Sequence, residues 1–223
     1  MNLPDILWWY LENTLEYLLQ MLPCMAISLV IFSLMRPWRG KRLARLGLSS
    51  GPAREGALLL FLMFSAGLAA LTVFPAHFWT RGHWLEVMNG RQPLFPPVDV
   101  QVQLQTLQLE PFQEIFRAFR GPWVMFLMLA NIGIFVPIGF FPALLWRGWR
   151  WWKSLLLGLG SSLTIEFIQF FIGRNTDIDD VTLNTAGAML GYWLFCLSRT
   201  LFPRLISRFQ CRPEGGDKNG LPV

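Results

Sequence analysis

The chain has 223 residues, of which 53% are hydrophobic and only 15% are charged, so its apolar surface exceeds what a soluble domain of this length can bury. Its net charge of +5 is compatible with a nucleic-acid partner, but the basic residues flank apolar runs, where they face anionic lipid headgroups. The composition excludes an ordinary soluble domain and predicts an all-α, polytopic membrane helix bundle with no nucleic-acid partner.

Five apolar runs approach or exceed the length of about 17–25 residues that a helix needs to cross a bilayer. They cover residues 15–35, 57–78, 123–146, 154–172 and 181–197. No Lys or Arg precedes Arg36, so the first run lacks the basic start of a cleaved signal peptide and is expected to remain as an anchor. The three cysteines show no CxxC spacing and indicate neither a disulfide framework nor a zinc site.

Basic residues collect in three alternate segments, which follow the first, third and fifth predicted spans. Most of the 19 lysines and arginines lie there: Arg36, Arg39, Lys41, Arg42, Arg45, Arg54, Arg147, Arg150, Lys153, Arg199, Arg204, Arg208, Arg212 and Lys218. Because cytoplasmic loops carry the excess of positive charge, the N-terminus is predicted outside and the C-terminus inside.

The long outer segment, residues 79–122, separates the second and third spans. Apolar and polar residues alternate over 98–104, which predicts a strand with one apolar face. Pro111 is then expected to open an amphipathic helix over 111–120 that lies on the outer leaflet as a lid or as a gate for a lipid. Its apolar face consists of Phe112, Ile115, Phe116 and Phe119.

Glu166 is the only acid inside the fourth span, and an acid at the centre of a spanning helix costs about 2.5–3.5 kcal/mol on insertion scales. Gln169 lies about one turn further on, and Gly158 and Ser162 share the same helix face. Because small residues permit close helix contact, this polar pair is expected to face protein rather than lipid.

The third and fifth spans bring polar side chains to a similar depth. Asn131, Glu166 and Asn184 lie roughly 6–12 Å below the outer boundary, at the helical rise of about 1.5 Å per residue. Gly187 and Gly191 share the face of Asn184 and predict a close contact with another helix, which would bring Asn184 toward Glu166. Three spans are therefore expected to form one polar layer near the outer face.

A short charged loop joins the fourth and fifth spans and carries Arg174, Asp177, Asp179 and Asp180. Asp179 or Asp180 is expected to cap the fifth helix by accepting hydrogen bonds from its first N–H groups. The other carboxylates are candidates for binding a ligand or a metal ion.

Four motifs in this order resemble the VanZ-like family of bacterial envelope proteins. They are NIGIFVPIGF at 131–140, SLTIEFIQ at 162–169, RNTDIDD at 174–180 and NTAGAMLG at 184–191. With Glu110-Pro111-Phe112, the resemblance covers about 105–195 and leaves out the first two spans. It implies a multi-pass protein of the bacterial inner membrane and an association with resistance to teicoplanin-type glycopeptide antibiotics.

The chain is accordingly divided into three parts. Residues 1–104 form a two-span region with the start of the outer segment, and residues 105–198 form a VanZ-like core of three spans. Residues 199–223 form a basic cytoplasmic tail, expected to be disordered from 214 to 223, where Pro and Gly are frequent.

Three hypotheses for the polar layer remain open at the level of sequence. In the first, the layer binds a lipid-linked envelope intermediate such as an isoprenoid-linked phosphate. Its binding residues would be Asn131, Glu166, Gln169, Arg174, Asp177, Asp180 and Asn184. In the second, the protein is an intramembrane enzyme with Glu166 as catalytic acid or base, and Asp177, Asp179 and Asp180 hold a divalent cation such as magnesium. In the third, the layer is purely structural and Arg174 neutralises an acid.

Overall fold

The computed structural model describes residues 3–75, 78–118 and 121–213, and most of these residues are helical. In chain order, the helices are α1 (Leu3–Leu34), α2 (Arg36–Arg45), α3 (Pro52–Val73), α4 (Arg81–Met88), α5 (Val100–Gln105), α6 (Gln113–Ala118), α7 (Pro122–Leu145), α8 (Trp151–Phe171), α9 (Ile178–Leu201) and α10 (Pro203–Ile206). A 3-10 turn follows at Ser207–Phe209. Two short strands, β1 (Leu48–Ser49) and β2 (Arg212–Pro213), pair antiparallel. The predicted helical architecture is confirmed.

Three helices are long and apolar enough to cross a membrane: α3, α8 and the part of α7 from Val124 to Leu145. The end of α1, from Leu19, forms a fourth candidate with α2, although the two helices meet at a bend of 50°. The fifth predicted span corresponds to α9, a helix of 24 residues that is not among the apolar candidates found in the described residues. The number of five spans and their orientation stay predictions.

Helices α7 and α9 pack with their backbones in contact at two glycines of α9. A Cβ added to Gly187 would lie 2.1 Å from the carbonyl oxygen of Ile132, and one added to Gly191 would lie 2.0 Å from that of Val136. Only glycine permits such an approach, because every other residue carries a Cβ. The predicted close contact of Gly187 and Gly191 is confirmed, and its partner is α7.

The prediction of a strand over 98–104 is wrong, because Val100–Gln105 forms α5. The carboxylate of Asp99 caps this helix and accepts hydrogen bonds from the backbone N–H groups of Gln101, at 2.8 Å, and Val102, at 3.3 Å. A strand must pair its backbone with another strand, whereas the Asp99 carboxylate supplies partners for the first N–H groups of this short helix. The alternation of apolar and polar side chains is therefore overridden by the local cap.

Helix α6 begins at Gln113, later than predicted, because the chain turns at Phe112 with a φ of 70°. This left-handed backbone does not continue a right-handed helix, so Pro111 precedes α6 rather than opening it. Phe112 and Phe116 expose 51% and 68% of their surface, and these rings are therefore available to a surrounding lipid. Phe119, assigned to the same face, lies outside the described residues.

The first part of the basic tail is folded onto the bundle. Ile206 of α10 is buried in a cluster that includes Ala57 of α3 and Phe195 of α9. Strand β2 then pairs with β1, just ahead of α3. The tail therefore packs against the helices as far as residue 213, and the disorder predicted for 214–223 lies outside the described residues.

Candidate functional site

Asp177 occupies the position at which α9 starts. The helix begins at Ile178, and the Asp177 carboxylate accepts a hydrogen bond of 2.8 Å from the backbone N–H of Asp179. Asp177 has the extended backbone that an N-cap requires, with φ −128° and ψ 129°. Asp177 is therefore the cap, and the prediction that Asp179 or Asp180 caps the helix is wrong.

Asp179 and Asp180 lie in the first turn of α9, and each has a partner on another segment. Asp179 is only 1% exposed and accepts a hydrogen bond of 2.5 Å from the backbone N–H of Phe112. Asp180 accepts one of 2.5 Å from the side-chain amide of Asn131 in α7. Both carboxylates also lie at the positive end of the α9 dipole, which stabilises them. The two aspartates thus join the outer segment and α7 to α9.

Glu166 is buried near the end of α8 and faces the loop that leads to α9. Its carboxylate accepts a hydrogen bond of 3.2 Å from the backbone N–H of Asp177. Four acids therefore lie around this loop. Among the described residues, however, no group of three or more Asp, Glu, His or Cys side chains is placed to hold a metal ion. The hypothesis of a metal site at Asp177, Asp179 and Asp180 gains no support from this arrangement and stays a hypothesis.

Asn184 and Gln169 connect the polar face of α8 to two other helices. The side-chain amide of Asn184 in α9 donates a hydrogen bond of 2.9 Å to the hydroxyl of Ser162, and both side chains are buried. Ser162 lies one turn before Glu166, toward which Asn184 was expected to point. The amide of Gln169 donates to the carbonyl oxygen of Thr72 in α3 at 3.3 Å. The polar residues of α8 therefore contact both α9 and α3.

Arg174 lies at the C-terminal end of α3. Its guanidinium donates hydrogen bonds to the carbonyl oxygens of Leu71, at 2.8 Å, and Thr72, at 3.3 Å. The last carbonyls of a helix lack partners within the helix, and a cation there also interacts favourably with the helix dipole. The rest of Arg174 is exposed. The guanidinium of Arg174 therefore lies at the edge of the acidic loop, and the two hydrogen bonds use only part of its five N–H donors.

Residues 103–112 lie across the loop between α8 and α9, and we call them the cover segment. Gln108 donates its backbone N–H to the carbonyl of Thr176 and accepts a hydrogen bond from the N–H of Ile178, both at 3.0 Å. This pairing is a parallel β-bridge. The hydrogen bond to Asp179 holds the far end of the segment. The polar layer is therefore closed over at this end of the helices.

Two glutamines of the cover segment were not predicted to belong to the site. The buried side chain of Gln103 donates to the carbonyl oxygen of Arg174, and Gln108 forms the bridge to the loop. The sequence pattern places Gln103 in the predicted strand and Gln108 in the link after it. The sequence signal for this helix is Asp99, because aspartate is among the residues preferred at a helix N-cap.

The apolar helices and the polar layer buried between them define a helical membrane protein. Residues 57–199 match the model of the VanZ/LLP1 family. This match covers more than half of the chain, so the chain belongs to the VanZ/LLP1 family. The resemblance inferred from the four motifs is confirmed, and the match also includes most of α3, which those motifs left out. No curated protein and no solved structure matches the chain.

Proposed function

We propose that this protein binds a lipid-linked intermediate of cell-envelope synthesis at its polar layer. The layer consists of Asn131, Glu166, Gln169, Arg174, Asp177, Asp180 and Asn184. The burial of Glu166, which is 5% exposed in a helix apolar enough to span the membrane, carries the proposal. An acid at such a position is costly, and an amide would serve helix packing at lower cost. Its presence supports a role in binding.

The distribution of charge indicates how such a ligand would lie. The acids surround the loop after α8, and Arg174 stands at its exposed edge. A guanidinium donates paired hydrogen bonds to a phosphate, whereas carboxylates accept hydrogen bonds from hydroxyl, amide or amino groups. The arrangement therefore favours a phosphate at Arg174 and a donor-rich headgroup, such as a sugar or peptide, near Glu166. An isoprenoid-linked phosphate has this chemistry.

The cover segment controls access to the layer in this proposal. Phe112, at its end, has a positive φ, which is an outlier for a bulky residue, and outliers of this kind cluster at ligand clamps and switches. The exposed rings of Phe112 and Phe116 suit contact with acyl or isoprenoid chains. Release of the bond between Phe112 and Asp179 would open the layer on the side of these rings.

Retained lipid tests the proposal. Wild type, Glu166→Gln, Arg174→Gln and Arg81→Gln are purified in parallel, shown to be folded and compared by native mass spectrometry. Arg81 is the control, because it is also an exposed arginine but lies at the start of α4 and is not part of the polar layer. We expect an isoprenoid-linked phosphate on wild type and Arg81→Gln but not on Glu166→Gln or Arg174→Gln. The same bulk phospholipids on all four proteins would contradict the proposal.

A purely structural role is the second candidate, and the paired amides of the layer favour it. Asn131 is bonded to Asp180 and Asn184 to Ser162, so neither amide requires a ligand. With a structural role, Glu166→Gln would lower the yield and the melting temperature without selective loss of one lipid. Unchanged stability together with a lost lipid would exclude it.

Two further expectations, the metal-assisted enzyme and the effect on glycopeptide susceptibility, are weighed against this binding role. No three acidic, histidine or cysteine side chains within the described ranges are grouped so that they could hold a cation, which gives the metal-assisted enzyme less support than binding has. Glycopeptide susceptibility would change indirectly, because a protein that holds a lipid-linked intermediate alters the amount available for envelope synthesis.

A further inference from the structure

A second polar site lies at the opposite end of α3 from Arg174, about 33 Å away along a helix of 22 residues. A cavity of about 520 Å³ opens there between α2 and the link that leads into α3. Its lining includes Arg36 and Arg39 from α2, and Ser50 and Glu55 from the link and the first turn of α3. Helix α2 carries five basic residues among ten and no acid.

Arg39, Ser50 and Glu55, which line the cavity and are half-buried, form a network with the buried Arg54. Arg39 donates hydrogen bonds to the Glu55 carboxylate at 2.9 Å and to the carbonyl oxygen of Phe32 at 2.7 Å, and its guanidinium lies 3.7 Å from the centre of the Phe32 ring. Arg54 donates to the hydroxyl of Ser50 at 3.2 Å, and that hydroxyl donates to Glu55 at 2.6 Å. Arg54 also lies 3.8 Å from Glu55, so two guanidiniums share one carboxylate.

The network has one more positive than negative charge and two unpaired donors. The side chain of Arg54 is only 7% exposed, and the Nε atoms of both Arg39 and Arg54 are buried without a hydrogen-bond partner. Buried charges and buried donors normally have partners, because removing them from water is costly. The preference for basic residues in cytoplasmic loops accounts for exposed side chains such as Arg42 and Arg45, but not for this burial.

We propose that this cavity binds an anionic phosphate group. A bound phosphate would balance the excess positive charge of the network. Arg36 and Arg39 line the cavity, and guanidiniums present paired N–H donors that fit phosphate oxygens. Arg36 is exposed and makes no hydrogen bond or ion pair in the part of the chain that the structure describes, so its guanidinium is available to a ligand.

The phosphate belongs either to an anionic lipid headgroup or to a soluble phosphate, and the geometry favours the lipid. Helix α2 is bent by 50° from the end of α1, and within this pair the apolar residues lie in α1 while the basic residues lie in α2. The exposed ring of Trp38 lies among its basic residues. A basic helix with an exposed tryptophan is typical of the interface between headgroups and acyl chains.

The test is a ligand titration of the full-length protein in detergent, with the unfolding temperature read from tryptophan fluorescence. The ligands are phosphatidylglycerol, zwitterionic phosphatidylcholine and sodium phosphate, and the proteins are wild type, Arg36→Gln and Arg45→Gln. The two variants lose the same charge from the same helix, but only Arg36 lines the cavity. Neither residue belongs to the buried network, so both variants should fold.

For Arg36→Gln we expect the half-maximal concentration of phosphatidylglycerol to rise about tenfold, which corresponds to the loss of one hydrogen bond to a charged group. Arg45→Gln should respond like wild type, and phosphatidylcholine should have little effect. An Arg36-dependent response to sodium phosphate would support the same chemistry with a soluble phosphate as its source. Equal weakening by both substitutions, or an equal response to phosphatidylcholine, would overturn the proposal. The outcome is independent of the proposed function, because Glu166 and Arg174 lie at the other end of α3.

Discussion

Ser161 and Ser162 are neighbours in α8, but their hydroxyl groups have different structural consequences. Ser162 is buried and accepts the hydrogen bond from Asn184 of α9. Ser161 donates at 2.6 Å to the carbonyl oxygen of Leu157 within its own helix. Only the bond between Asn184 and Ser162 joins two helices. Loss of the Ser162 hydroxyl would therefore leave the buried amide of Asn184 without this hydrogen-bond partner.

We therefore expect Ser162→Ala to lower the free energy of unfolding by about 0.6–2 kcal/mol, the range for hydrogen bonds between membrane helices. Ser161→Ala should cause little change, because the carbonyl that it releases is already part of the helix. Reversible unfolding in mixed micelles compares the two variants with wild type. Equal destabilisation would show that the bond to Asn184 contributes nothing specific.

Small residues on two faces of α9 allow it to pack closely against the neighbouring helices α7 and α8. Gly187 and Gly191 meet the backbone of α7, and a Cβ added to Gly158 of α8 would lie 2.6 Å from the Cβ of Ala188. Helix α9 is therefore held between α7 and α8. A helix with protein on two faces needs less apolar surface than one that faces lipid all round, which agrees with the polar residues along α9.

Gly187→Ala is expected to force α7 and α9 apart, because the new methyl group would lie 2.1 Å from the carbonyl oxygen of Ile132. Overpacking of this kind costs about 1–3 kcal/mol. Gly160→Ala in α8 is the control, since an added Cβ there has nothing within 4 Å and alanine is the better helix former. Thermal unfolding in detergent should show a lower melting temperature for the first variant alone.

At the scale of the whole molecule, the two ends of the bundle differ in charge. Acids gather around the loop between α8 and α9, and basic residues gather along α2, after α7 and in the tail. The tail is held at the basic end by the pairing of β2 with β1 and by the burial of Ile206. This polarity supports an orientation in which the basic end faces the cytoplasm.

Cysteine labelling tests that orientation. In a background without Cys24 and Cys196, the native Cys211 beside β2 should react with a membrane-impermeant maleimide only after the cells are permeabilised. A cysteine introduced by Arg81→Cys, with Cys211 also replaced, should react in intact cells, because it lies in the predicted outer segment. The reverse pattern would invert the orientation and move the polar layer to the cytoplasmic side.

The positions of the long apolar helices could be predicted from the sequence because the signal is local. A spanning helix must be apolar over a length that the bilayer sets, so each apolar run by itself indicates a span. The unusual residues could be identified for the same reason, since Glu166 is conspicuous in an apolar run whatever surrounds it. The failures were also local, and a single side chain caused one of them: Asp99 caps a helix where alternation indicated a strand.

The partner of each polar side chain was decided only by the tertiary structure. Asn131 and Asp180 are 49 residues apart, and Gln169 meets a carbonyl 97 residues away. Such pairs depend on how helices rotate and slide against one another, which hydrophobic periodicity does not specify. The same holds for the cavity beside α2, because the ion pair of Arg39 with Glu55 requires the side chain of an α2 residue to reach the first turn of α3. The sequence determined which groups are costly to bury, and packing determined what satisfies them.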